Sequence, residues 1–343
     1  MTERAGRHAA EPDMSGSLLP EAELRLAQGG GSRPAEYRGR PSGRHAAPGS
    51  GSAARQGGTD HGSDGSPQHN GHGNGVGDGE PARRAARAAA VPAPGPVHGP
   101  SRAAAGAASR LRLIWVYPDL LSTYGDRGNL LVLQRRATLR SIAVEAAGIN
   151  ADQPVPAQGD IYLLGGGEDL PQILAANRLR ADGGLTTAVS LGSVVFAVCA
   201  GYQVIGHEFG GVEGEPVSGL GLLDISSGRG QRRGVGELVA DVDPELGVPR
   251  LTGFENHQGV TRIGPGARPL ARLSRGVGNG DGTEGAFAGR VLGTYMHGPA
   301  LARNPGLADL LLSWVVGPLA PIDPAEDEWA ARLRAERLAA VAQ

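Results

Sequence analysis

Cys199 is the only cysteine in 343 residues. It stands in FAVCAGYQVIGHEFGG (196–211), where an apolar run gives way to a glycine-punctuated segment. A single thiol makes no internal disulfide, and without a CxxC pair there is no zinc-site spacing. Two roles remain: a small buried hydrophobe, the common fate of a free cysteine, or a nucleophile. The local pattern favours the nucleophile. SVVFAV (193–198) reads as a fully apolar strand, the chain turns at Cys199, and a helix is expected to begin at once. Ala-x-Cys-x-Gly is the cysteine counterpart of a nucleophile elbow, in which small flanking residues let a strained turn pack closely. A thiolate there would gain from the helix N-terminus. The N–H of Ala200 would point at a forming oxyanion.

Such a nucleophile needs a base, usually histidine. Six of the nine histidines (His8, His45, His61, His69, His72, His98) fall within the first 108 residues. Of the rest, His207 lies two turns along the helix expected after Cys199 and reads as a surface residue. His257, in GFENHQG (253–259), reads as part of a polar loop that could line a pocket. His297, in LGTYMHGP (292–299), ends a strand and enters a Gly-Pro loop that can present its ring to a cleft. His297 is the expected base, with His257 second. Gln203, four residues after Cys199, is expected to face the same pocket.

These residues need a scaffold, and composition says where it lies. All three Trp and all four Phe come after residue 110, and no Ile precedes Ile114. Residues 1–108 are Gly, Ala, Pro, Ser, Arg and His in no periodic order, too poor in apolar surface to offset ordering entropy, and are expected to be a disordered extension. The folded domain is expected over 109–320, followed by an amphipathic helix over 321–343 with Trp329 and Leu333 on one stripe. LRLIWVY (111–117), DIYLLGGGED (160–169) and SVVFAV read as strands hydrophobic on both faces. DRGNLLVLQRRATLRSIAVEAAG (126–148) reads as one helix stopped by Gly148, and Asp169 as the cap of another, with Pro171 and Gln172 in its first turn. Alternating strands and helices of this kind predict an α/β fold with a mostly parallel sheet covered on both sides. After residue 210 the strands GELVADV, RLTGFENHQG, PLARL and RVLGTYMHG read as antiparallel or edge additions.

Several function classes drop out. The 33 basic residues are all arginine. Without lysine there is neither the P-loop lysine nor a Schiff-base lysine for pyridoxal chemistry in these residues. The formal net charge of −2 argues against a nucleic-acid binder. No run approaches membrane-spanning length and the start has no signal-peptide core, so a cytoplasmic protein is expected.

CAGYQ (199–203), LLGGGEDLPQ (163–172) and GTYMHGP (293–299) together resemble class I glutamine amidotransferases of the CobB/CobQ-like branch. YPDLLSTYGDRGN (117–129), GFENHQG and GVGNGDGTEG (276–285) narrow the resemblance to the glutaminase subunits of lipid II isoglutaminyl synthases. The resemblance covers about residues 111–315 and implies a flavodoxin-like fold. It implies hydrolysis of L-glutamine to glutamate and ammonia, with the ammonia passed to a MurT-like Mur-ligase homologue. That partner would bind ATP and Mg²⁺, leaving this chain without a cofactor, and would amidate the α-carboxylate of D-glutamate in the peptidoglycan stem peptide of lipid II.

Carried onto this sequence, the resemblance makes Cys199 the nucleophile and His297 the acid–base. It places the oxyanion between the N–H of Ala200 and one from the Gly165–Gly167 turn, taken as Gly166. Arg233 becomes the substrate-carboxylate arginine, with Arg229 and Arg232 as competitors. The sequence departs from the wider family where a Glu usually follows the histidine by two residues; here that position is Pro299. Either the Cys–His pair works without that acid or an acid arrives from elsewhere; the resemblance implies that the partner can supply it, which would leave the chain alone a poor glutaminase. Asp126 and Arg127 are expected to position a loop or contact the partner rather than do chemistry. The competing readings are a stand-alone glutaminase or γ-glutamyl hydrolase, and a non-catalytic scaffold.

Overall fold

The computed structural model describes residues 110–341; the extension expected to be disordered lies outside the described residues. Five short apolar strands form the centre: β1 (Leu111–Val116), β2 (Val144–Ile149), β3 (Ile161–Leu164), β4 (Val194–Val198) and, much later in the chain, β11 (Val291–Thr294). They lie in the order β2-β1-β3-β4-β11, all parallel. Every residue of β3, β4 and β11 is buried, so these strands are covered on both faces. Helix α1 (Arg127–Thr138) packs with α5 (Ala300–Arg303) and α6 (Pro305–Val316). Helix α2 (Asp169–Asp182) packs with α3 (Gly184–Ser190) and α4 (Ala200–Val204). This is the expected α/β architecture.

Beyond β11 the sheet continues through antiparallel β10 (Thr283–Ala288), β9 (Arg268–Arg275) and the long β7 (Ile225–Val242). β7 forms an antiparallel pair with β8 (Leu251–Ile263) whose register shifts between Arg229 and Gly234. The short β5 (Glu208–Gly210) and β6 (Pro216–Ser218) close that edge. The irregularity leaves Arg232 and Arg233 outside the regular β7–β8 pairing, as bulges do near functional clefts.

Four elements differ from the sequence reading. The helix beginning at Arg127 stops at Thr138, Ser141 turns at φ 57°, and Val144–Ile149 becomes the edge strand β2. An edge strand rich in Ala carries little β signal, and its pairing with β1 supplies what local preference does not. RVLGTYMHG is not an antiparallel addition: β11 is the fifth parallel strand, seated between β4 and β10. Helix α4 ends at Val204 rather than continuing through His207. There Gly206 packs so closely that a Cβ would lie 2.8 Å from the Ile225 carbonyl oxygen. At the C-terminus a 3-10 turn at Pro324–Asp327 leads into α7 (Glu328–Val341), none of whose residues is buried. Arginines dock it instead: Arg136 on Asp327, and Arg334 on Asn304 and the Arg250 carbonyl. Trp329 and Leu333 stay exposed. Among the described residues no helix is long and apolar enough to cross a membrane.

Candidate active site

The turn after β4 is strained at one residue. Cys199 has φ 51° and ψ −105°, an unfavourable conformation for a side chain that carries a Cβ; such residues cost about 1–3 kcal/mol and cluster at functional sites. Packing enforces it. The Cys199 N–H donates to the Thr294 carbonyl of β11 over 2.8 Å, and its own carbonyl accepts from Gln203 N–H. Gly201 must be small, because a Cβ there would stand 2.7 Å from the Leu164 Cβ and 2.9 Å from the Gly165 carbonyl oxygen. Cys199 therefore sits at the carboxyl end of the parallel sheet and lines a cleft of about 310 Å³.

His297 lines the same cleft. β11 lies beside β4 with Thr294 opposite Val198, so the chain emerges from both strands at one edge. His297 N–H donates to the Phe254 carbonyl of β8 over 2.7 Å, which fixes the residue behind its fully buried ring. Asp126 approaches from another side. Its Oδ2 is 3.5 Å from His297 Nδ1, both side chains being about 1 % exposed. Burial, the largest influence on the imidazole, disfavours its protonated form. The neighbouring Asp126 and Cys199 outweigh burial and push the His297 pKa up to about 10, although neither ring nitrogen has a hydrogen-bond partner at normal distance. The arrangement favours an imidazolium beside the sulfur.

Asp126 thus lies against the imidazole, contrary to the expectation that it only positions a loop or meets a partner. The sequence hid this because an Asp one residue before a helix reads as an N-cap. It occupies that position but makes no side-chain cap. Its Oδ2 instead accepts from the Gly166 N–H over 2.6 Å. Arg127 is exposed.

That hydrogen bond corrects a second expectation. The Gly166 N–H is committed to Asp126 and cannot serve an oxyanion, and Gly166 does not line the cleft. Gly167 does line it, as does Ala200. Neither of their N–H groups meets an acceptor among the described residues. Ala200 and Gly167 are thus the cleft-lining residues of the two turns whose N–H groups remain free for an oxyanion, Gly167 lying one residue further along than expected.

The rest of the cleft is polar. Arg233 lines it, its Nε donating to Asn256 Oδ1 over 2.8 Å, while Asn256 Nδ2 donates to the Tyr124 hydroxyl over 2.7 Å. The Tyr124 ring meets His297 edge-on, with centroids 4.9 Å apart. Arg229 also lines the cleft, 3.6 Å from Asp169, whereas Arg232 is exposed outside it. Gln203 faces the cleft as expected; its amide nitrogen donates to the Tyr295 hydroxyl and its oxygen accepts from Gln172 Nε2. Gln172 was read as part of a helix cap, but its side chain points into the site. Tyr124, Asn256 and Gln172 carry no sequence signal for this role beyond their nearness to glycine-rich turns.

His257 belongs to β8 rather than to a loop. It touches the cleft but is held on both sides, Nδ1 near the Gly259 carbonyl and Nε2 3.2 Å from Glu255. Burial opposes ionisation of Glu255, yet hydrogen bonds from His257 and from the N–H groups of Gly278 and Val277 hold its carboxyl below the ordinary value. His207 is exposed beside Asp224. Only His297 is left for the sulfur.

Comparison with known proteins identifies the family. Residues 112–305 match the model of the CobB/CobQ-like glutamine amidotransferase domain. The subunit GatD of lipid II isoglutaminyl synthase (glutamine-hydrolyzing) from Staphylococcus aureus is 35% identical over 198 residues, 57% of this chain and 79% of that protein. The same subunit from Streptococcus pneumoniae is 31% identical over 210 residues, 60% of this chain and 80% of that protein. A cobyric acid synthase from Sphingopyxis alaskensis is 34% identical over 178 residues, but these are 50% of this chain and only 34% of that enzyme. The chain belongs to the CobB/CobQ-like glutamine amidotransferase family.

Proposed function

We propose that this chain is the glutaminase subunit of a lipid II isoglutaminyl synthase. In this reading it hydrolyses L-glutamine to glutamate and ammonia, and a MurT-like ligase uses the ammonia to amidate the α-carboxylate of the stem-peptide D-glutamate. ATP and Mg²⁺ chemistry belongs to that ligase. The observation that carries the reading is Cys199, held at positive φ at the sheet edge, sharing one cleft with His297. The likeness to two GatD subunits over about four-fifths of their length supports the choice of partner reaction.

The steps balance with this chain's residues alone. The glutamine α-carboxylate pairs with Arg233, whose guanidinium suits bidentate binding. The Cys199 sulfur attacks the side-chain amide carbon while its proton resides on His297. The resulting oxyanion accepts from the N–H groups of Ala200 and Gly167, each such donor being worth about 3 kcal/mol. His297 returns the proton to the leaving nitrogen, the C–N bond breaks, and ammonia departs from a γ-glutamyl thioester. Water, deprotonated by His297, cleaves the thioester to glutamate and restores the thiol.

The test is ammonia release from L-glutamine by the full chain, alone and with a MurT-like ligase, ATP and lipid II. Amidated lipid II with both proteins present is expected. Glutamine hydrolysis with no amidated product under those conditions would favour a stand-alone glutaminase. No diazo-oxonorleucine adduct on Cys199, with the partner present, would favour a scaffold.

A further inference from the structure

We propose that Asp126 is the positioning acid of the cysteine–histidine pair, so that this chain carries its own third member and needs none from a partner. The inference deepens the amidotransferase reading and rests on it for its kinetic arm, but not for its chemical arm.

Three observations meet at this carboxylate. It lies 3.5 Å from His297 Nδ1, a distance that is long for a resting hydrogen bond but usual for catalytic groups that tighten on the substrate. It is buried, and its Oδ1 has no partner, which is costly for a carboxylate unless a positive charge faces it. Its Oδ2 also accepts from Gly166 N–H, on the turn whose next N–H faces the oxyanion. One oxygen thus holds the glycine turn by a hydrogen bond and stands against the imidazole. The position left empty by Pro299 is filled from the other end of the domain, by the residue before α1.

The groups facing His297 are few. Asp126 comes from the segment before α1, Cys199 from the end of β4, and Tyr124 meets the ring edge-on. β8 holds the backbone through the Phe254 carbonyl, and its Glu255 and His257 are committed to each other. Replacing the Asp126 carboxylate therefore removes one of the two supports of the imidazolium, Cys199 being the other. Because the Asp126 charge raises the His297 pKa, its loss lets the proton leave at lower pH.

The discriminating variants are Asp126→Asn and Asp126→Ala in the full chain. Asparagine can still accept from Gly166 N–H, so a merely structural role predicts that D126N behaves as the parent and only D126A fails. The positioning role predicts a kcat for D126N lower by about 10² with KM little changed. The alkaline limb of the kcat profile should also move to lower pH. Alkylation of Cys199 by iodoacetamide needs no substrate and reports on the only thiol; its rate at pH 7 should fall about tenfold in D126N. Parent-like alkylation and an unmoved alkaline limb in a folded D126N would overturn the proposal. Failure of the amidotransferase reading would show separately, as no glutamine hydrolysis by the parent protein with its partner.

Discussion

The backbone N–H of Cys199 donates to the carbonyl of Thr294, joining the residue after β4 to the last residue of β11. Through this one bond the nucleophile turn is tied to the strand that delivers His297. Adjoining parallel strands end at the same edge of a sheet, so residues just past their ends meet in the crevice there. The first prediction follows from it. His297→Asn should lower kcat by between about 10² and 10⁴, and Cys199→Ala should abolish turnover and labelling by glutamine-analogue electrophiles. His257→Phe should do something different. It leaves Glu255 buried without its imidazole partner, costing about 1–3 kcal/mol of stability, with a much smaller loss of kcat. Steady-state kinetics beside urea unfolding separates the two histidines; equal kinetic losses would refute the assignment.

Arg233, Arg229 and Arg232 are close in sequence but differ in placement. Arg233→Ala should raise KM for glutamine about 10- to 100-fold, the worth of a charged hydrogen-bonded pair, with a smaller change in kcat. Arg232→Ala, outside the cleft, should be near parental. If Arg229→Ala has the larger KM effect, the carboxylate partner is Arg229.

Gly166 has no room for a side chain. A Cβ there would lie 2.5 Å from His297 Cε1, so Gly166→Ala must displace the imidazole. A shift of about 1 Å can cost roughly 10² in rate. The expected result is a folded protein with kcat reduced by that order, read by circular dichroism and turnover together. Parental kcat would mean the ring is not held against this turn.

Glu284 provides a stability test away from the cleft. It is fully buried; Thr294 Oγ1 and the Tyr295 N–H donate to its Oε1, and its Oε2 has no partner. Burial, the largest influence, raises its pKa from 4.5 to about 7 despite those hydrogen bonds. The folded-state value lies above the unfolded one, so the folded chain holds an extra proton between pH 4.5 and 7. The associated stability is present below that window and is lost as pH rises through it, by roughly 3 kcal/mol in total. Glu284→Gln should flatten this fall, measured as urea midpoints at pH 5 and pH 8. An unchanged pH slope would contradict the assignment.

Much of this was legible in the residues, for identifiable reasons. SVVFAV followed by Cys-Ala-Gly is a local signal, since an all-apolar strand and a turn of small residues need only neighbours to be read. Of the three histidines weighed, the structure leaves His207 exposed beside Asp224 and holds His257 against Glu255, and only His297 stands beside Asp126 at the cleft. Ala200 and Gln203 were legible from their fixed spacing to Cys199. β2 was not, because an Ala-rich edge strand resembles a helix extension. Nor was the parallel direction of β11, because the chain reaches it through an antiparallel hairpin, and sequence order says nothing of which neighbour it takes on its other side.

By itself, the sequence determined the α/β scaffold and singled out Cys199 and His297 as the candidate pair, because strand, turn and helix preferences act over a few residues. Only the tertiary structure decided which acid stands behind the base, which glycine N–H stays free and which arginines face the cleft. Asp126 read as a loop-positioning or partner-contacting residue, and Gly166 and Gly167 looked alike. What distinguishes them is packing between segments far apart in the chain, where a buried carboxylate takes one N–H and leaves the next one open.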